Sequence, residues 1–190
     1  MAGVASAHTE PGSQPAWTEV MDVDAIRRAT WRMAHEVVER NPDVAGLVVL
    51  GLRAGGVSLA ESLGEILGRI GEDAPCPAVE VGALDVSMHR DDFALRPVQP
   101  LGVSEIPGDL EGAVVVLVDD VLFTGRTVRA ALDALVDYGR PRLVQLAVMV
   151  DRGHRELPIR ADFVGLNLPT SLDETVEVGP STVRLGRPRP

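Results

Sequence analysis

The sequence predicts an α/β fold, a mostly parallel central sheet flanked by helices. Three observations carry that prediction. Ala45–Leu50 and Ala113–Val118 are unbroken apolar runs of strand length, and Leu143–Val150 is apolar but for Gln145, as expected of parallel strands buried on both faces. Between them lie stretches with apolar residues at helical spacing, closed by glycine or proline. Strand-like and helix-like segments alternate, the order that builds a parallel sheet through crossover helices.

In chain order, Met1 to about Ala16 is rich in small and polar residues without periodicity. It reads as a disordered leader, leaving residues 17–190 as a single domain. Ile26, Ala29, Met33 and Val37 mark a helix over Asp22–Arg40, with Asp22 or Asp24 as its cap. After the strand ending at Leu50, Gly51–Gly56 is a loop and Val57–Ile70 a helix closed by Gly71. Val79–Val86 is a further strand. Ser87–Gly112 is polar, proline-bearing and long, and reads as a mobile arm. A helix from about Thr127 to Tyr138 follows the second apolar run and stops at Gly139 and Pro141. Ala161–Leu166 and Thr175–Leu185 are shorter strand candidates.

Composition narrows the function classes. Cys76 is the only cysteine, which excludes an internal disulfide and a cysteine-cluster metal site. No apolar run approaches the roughly 20 residues that span a membrane, and no signal sequence is apparent. A reduced, cytoplasmic setting is the default expectation. The net charge of −10 argues against indiscriminate nucleic-acid binding but leaves room for a local basic face. All 18 basic residues other than histidine are arginine, so every permanent cationic contact comes from a planar fork.

The stretch VVVLVDDVLFTGRT, Val114–Thr127, carries the chemistry. Asp119 and Asp120 stand where a buried strand ends, the position at which parallel sheets bind ligands. Thr124, Gly125, Arg126 and Thr127 then supply hydroxyls, a close backbone approach and the amides of a helix N-terminus, an anion cradle. Taken singly, the carboxylates end a strand and the threonines cap a helix. Taken together, they describe a site for a phosphorylated ribose.

That stretch resembles the phosphoribosyl pyrophosphate (PRPP) motif of type I phosphoribosyltransferases. AIRRATWRMAHEVVERN, GALDVSMHRDDF, DRGHRELPIRAD and NLPTS resemble successive blocks of one subgroup, the bifunctional pyrimidine operon attenuation regulators and uracil phosphoribosyltransferases. The resemblance spans roughly Asp22 to Val178 and implies the type I phosphoribosyltransferase fold with a small hood and a long mobile loop. It implies catalytic roles for Asp119, Asp120 and Arg90. It implies a PRPP and UMP site from Asp119, Asp120, Val121, Leu122, Phe123 and Thr124–Thr127, with Ala54, Gly55, Arg90, Asp91, Arg152 and Val164. Magnesium would arrive on PRPP rather than in a dedicated protein cage. The expected reaction is uracil and PRPP to UMP and pyrophosphate. UMP would also govern binding of a pyrimidine-operon messenger RNA leader to a basic face of a homodimer or larger homo-oligomer. Arg28, Trp31, Arg32, His35, Arg155 and Arg160 are the RNA-contacting candidates. Arg28, Arg32 and His35 share one helical face, which a surface of solvated arginines or an oligomer contact would equally produce.

The chain departs from the subgroup at four places. Ala54-Gly55-Gly56 stands where the subgroup has a Thr-Arg-Gly triplet that binds pyrophosphate, with Arg53 the nearest substitute. His89 replaces a tyrosine, Leu166 a lysine, and Trp31 a small hydroxylated residue. The first three bear on turnover more than on nucleotide binding; Trp31 bears on the RNA face. Three expectations follow: a bifunctional protein, a regulator with weak transfer, or a transferase for another base without an RNA role.

Overall fold

The computed structural model describes residues 17–42, 46–53, 55–73, 79–89 and 102–187, with the backbone alone at 71–73. The expectations for the leader, for Ala54, and for Arg90 and Asp91 lie outside the described residues.

The first element is a strand that the sequence reading missed, β1 (Thr18–Asp22). Helix α1 (Val23–Arg40) follows, and Asp22 caps it by accepting from the amide of Ala25 at 2.7 Å. Asp24, the other cap candidate, pairs with Arg27 instead. Then come β2 (Leu47–Leu52), α2 (Val57–Asp73) and β3 (Val79–Leu84). Helix α2 runs through Gly71, which therefore does not close it. The later elements are β4 (Val114–Leu122), α3 (Arg126–Leu135), β5 (Leu143–Asp151) and β6 (Phe163–Asn167). Strands β7 (Thr175–Val178) and β8 (Thr182–Gly186) complete the chain. The single strand expected over Thr175–Leu185 is thus a hairpin, closed by the Gly179 amide on the Thr182 carbonyl at 2.9 Å.

Five strands form one sheet in the order β3-β2-β4-β5-β6, every neighbouring pair parallel. The strands are apolar because both faces are covered. On β4, Val114, Val116 and Val118 join the cluster under α1 and α2, while Val115 and Leu117 join the cluster under α3. A separate antiparallel sheet, β1-β8-β7, forms a small hood and adds Met21 and Val183 to the α1–α2 cluster. The end of the expected arm is not free. Glu105 bridges Ala83 through both backbone groups, and Leu110 is wholly buried.

Strand β4 does not stop before its carboxylates, as the sequence suggested. It runs on through Asp119 and Asp120 because β5 keeps pairing, Asp119 opposite Val148 and Val121 opposite Val150. Its pairing to β2 ends earlier, at Val118 opposite Gly51. That difference opens one side of β4 at the two aspartates.

Candidate nucleotide-binding site

The strand order places the site. From β2 the chain turns through α2 to β3 on one side; from β4 it turns through α3 to β5 on the other. The loops after β2 and β4 therefore diverge and leave a crevice beyond the strand ends. A cavity of about 220 Å³ there is lined by Asp119–Gly125, Thr127, Val128 and Arg152.

Two short loops are pressed together in this crevice. A Cβ on Gly56 would strike the Val118 carbonyl, and one on Gly55 would fall on the Asp120 carboxylate. Asp119 is 3% exposed and accepts from the Asp120 amide at 3.0 Å. Asp120 accepts from the Val121 amide at 2.7 Å. Burial raises the Asp120 carboxyl above its ordinary value, against the lowering pull of those amides and of Asp119. Every buried side-chain nitrogen and oxygen among the described residues has a partner. Gly125 begins α3 with φ +92°, a conformation that disfavours any residue bearing a Cβ. Its Cα also faces Ile159, to which an added Cβ would approach within 3.4 Å.

The loop after β4 is fastened from behind by the segment after β5, the DRGHRELPIRAD block. Arg155 donates to the carbonyls of Leu122 (3.3 Å), Phe123 (2.7 Å), Gly153 (2.9 Å) and Ile159 (3.1 Å). Its other terminal nitrogen pairs with Asp151. The amides of Glu156 and Leu157 bond the Thr124 carbonyl, and Glu156 holds Arg126 at 2.8 Å. Arg152 joins this loop to the hood. Its guanidinium lies 4.3 Å from the centroid of Phe123, within cation–π range. It donates to Thr170 Oγ1 (3.0 Å) and to the carbonyls of Ser171 (2.9 Å) and Glu174 (2.7 Å). Burial lowers its pKa, and the charge of Glu174 opposes that shift.

The structure thus brings together Asp119–Gly125, Thr127 and Arg152, with Gly55 against Asp120. Val164 does not line that cavity; it packs under α3 and its carbonyl accepts from Arg32. The arginine candidates for RNA divide into two sets. Arg28 and Arg160 are exposed, and so is Arg32, which is nonetheless engaged. Arg155 is occupied as described, and Arg32 donates to the carbonyls of Val164 (2.9 Å) and Gly165 (2.8 Å) while pairing with Glu36. Trp31 packs against the α1–α2 cluster with the exposed His35 ring 6.1 Å away. Leu166 packs on the same cluster. Sequence reasoning missed His154, which sits at φ +58° with its ring edge-on to Phe123 and Nε2 2.7 Å from the Thr170 carbonyl. It also missed Ser171 and Glu174, which act through backbone carbonyls that no side-chain pattern reports.

No helix among the described residues is long and apolar enough to cross a membrane. None of the described His, Cys, Asp and Glu side chains form a group of three or more that would hold a metal ion.

Comparison with known proteins agrees with this geometry. The model of the phosphoribosyl transferase domain matches residues 16–182. A bifunctional protein PyrR of Geobacter sulfurreducens is 56% identical over 162 residues, covering 85% of this chain and 89% of that protein. A bifunctional protein PyrR of Streptomyces coelicolor is 55% identical over 174 residues, 88% of each. Among solved structures, a hypoxanthine-guanine phosphoribosyltransferase of Bacillus anthracis superposes with a TM-score of 0.67 over 90% of this chain and 99% of that one. Its 14% identity speaks for the fold alone. The chain belongs to the phosphoribosyl transferase domain family and, within it, to the group of bifunctional PyrR proteins.

Proposed function

We propose that this protein is a UMP-responsive regulator of pyrimidine-operon expression that binds messenger RNA and transfers the phosphoribosyl group of PRPP to uracil. The observation that carries the reading is the crevice at Asp119–Thr127, in a chain so similar to bifunctional PyrR proteins. Asp119 and Asp120 take the ribose hydroxyls, and the Thr124–Thr127 turn takes the 5′-phosphate at the start of α3. Bond formation from uracil N1 to the ribose and departure of pyrophosphate pass through a cationic sugar, which neighbouring carboxylates stabilise. Magnesium, carried by PRPP, supplies charge neutralisation at the leaving pyrophosphate. An adjoining cavity of about 330 Å³ shares Arg152 and offers the Asn167 amide and His154 ring beside Leu168 and Pro169, a setting suited to a flat heterocycle.

For RNA, the arginines left in solvent, Arg28 and Arg160 with Arg27 nearby, are the phosphate contacts of this proposal. Arg32 and Arg155 are engaged with backbone carbonyls instead. Assembly into a homodimer or larger homo-oligomer would double that face.

Two measurements on one preparation test the reading. With uracil, PRPP and magnesium, UMP should form. A pyrimidine-operon leader RNA should bind more tightly with UMP present, with affinity falling on log–log axes by about 0.7–0.9 per phosphate contact as salt rises. Turnover of a purine base with no RNA binding would replace this reading with a transferase for another base.

A further inference from the structure

His154 stands where the two cavities meet. It lines the cavity of about 330 Å³, and its ring lies edge-on to Phe123 with the centroids 5.8 Å apart. Phe123 in turn lines the ribose-phosphate cavity, and Arg152, 4.3 Å from the same Phe123 ring, borders both. The chain is bent to put His154 there: Gly153 and His154 follow one another with φ +80° and +58°. For a residue with a Cβ that conformation is costly and persists where its surroundings demand it. The tautomer follows from the ring's partner. Nε2 lies 2.7 Å from the Thr170 carbonyl, which can only accept, so Nε2 carries the proton. In the neutral ring Nδ1 then holds the lone pair, and no group among the described residues donates to it. Of the charged side chains on the same cavity wall, Asp151 is paired with Arg155, and Arg152 donates to Thr170, Ser171 and Glu174.

We propose that His154 Nδ1 is the base that accepts the N1 proton of uracil, a role that rests on reading the crevice as a uracil phosphoribosyltransferase site. A heterocycle in the larger cavity and a ribose in the smaller are joined at their shared wall, and N1 is the uracil atom that joins them. As N1–H gives its proton to Nδ1, the electron pair of that bond forms the bond from N1 to the anomeric carbon of the ribose. The bond from that carbon to the pyrophosphate oxygen breaks, its pair leaving with pyrophosphate. The imidazolium then passes its proton to water. UMP has no N1 proton, so Nδ1 serves the reaction and contributes little to holding the product.

His154→Asn in the full chain tests this, since asparagine is among the residues that best tolerate a left-handed φ. With saturating magnesium–PRPP, kcat/KM for uracil should fall roughly hundred-fold or more, the ordinary worth of a general base. UMP affinity, by isothermal titration, should stay within about three-fold of the parent's. With 5-fluorouracil, whose fluorine makes the N1 proton more acidic, the same substitution should cost several-fold less, because a better acid needs its base less. A loss of uracil turnover smaller than about ten-fold overturns the proposal. An equal loss on both bases overturns it too, as the mark of a structural residue. A fall in UMP affinity as large as the fall in turnover does the same, since UMP keeps N3–H and lacks only the N1 proton. Those three results leave the transferase reading standing. Absence of UMP formation by the parent overturns the proposal and that reading together.

Discussion

Arg155→Met is expected to lower unfolding free energy by about 2–4 kcal/mol, because it strips four carbonyls of a charged donor and leaves Asp151 half-buried without its cation. Denaturant unfolding measures it. UMP affinity should fall with stability, since the carbonyls of Leu122 and Phe123 belong to the loop that cradles the ligand. Arg155→Lys should recover little, because one ammonium cannot reproduce a fork that reaches five acceptors. If Arg155 instead served RNA alone, both variants would unfold like the parent within about 0.5 kcal/mol, and only RNA affinity would move.

Asp120→Asn should separate stability from function. UMP affinity is expected to fall roughly ten- to hundred-fold, the loss of charge-assisted bonds to the ribose hydroxyls. Stability near neutral pH should instead rise, with a melting temperature a few degrees higher, on the order of 1 kcal/mol of relief. The sign follows from burial, which raises the folded carboxyl above its unfolded value. A raised acid stabilises the fold while protonated, below its unfolded value, and that contribution is lost as pH climbs through the folded one. The parent therefore carries the cost at neutral pH and sheds it in acid, the reverse of a salt-bridged aspartate. The two melting curves should converge as pH falls. A variant that melts below the parent at neutral pH would show that the Asp120 charge is stabilising, contrary to the effect of its burial.

Much of the fold was legible because its signals are local. Val114–Val118 is apolar on both faces and Leu143–Val150 nearly so, with Gln145 the exception, and the ligand end of β4 announces itself through Asp119, Asp120 and Gly125. What escaped depends on distant pairings. β1 is five residues whose partner, β8, lies at the far end of the chain, and nothing within Thr18–Asp22 reports that partner. The hairpin at Gly179 carries its turn signal in Gly-Pro-Ser, between two stretches that alternate apolar and polar residues. Arg32 and Arg155 read as phosphate contacts because an arginine looks the same whether it meets phosphate or carbonyl oxygen. Ala54 and Gly55 read as a lost hydroxyl and a lost guanidinium; the structure adds that a Cβ at Gly55 would meet the Asp120 carboxylate and one at Gly56 the Val118 carbonyl.

The pairing of β1 with β8 also bears on how the protein assembles. Thr18 meets Leu185, so the hood forms only by bringing together positions nearly the whole chain apart. Closing so long a loop carries its entropic cost before any contact repays it, which makes the hood the late and locally weakest unit of folding. Its amide hydrogens in β1 and β8 should exchange together and sooner than those of β4. Because Arg152 ties the Phe123 ring to Ser171 and Glu174, just ahead of β7, UMP in the crevice should slow that exchange. In kinetic terms, the ligand would act as the clasp on the last piece of the molecule to close.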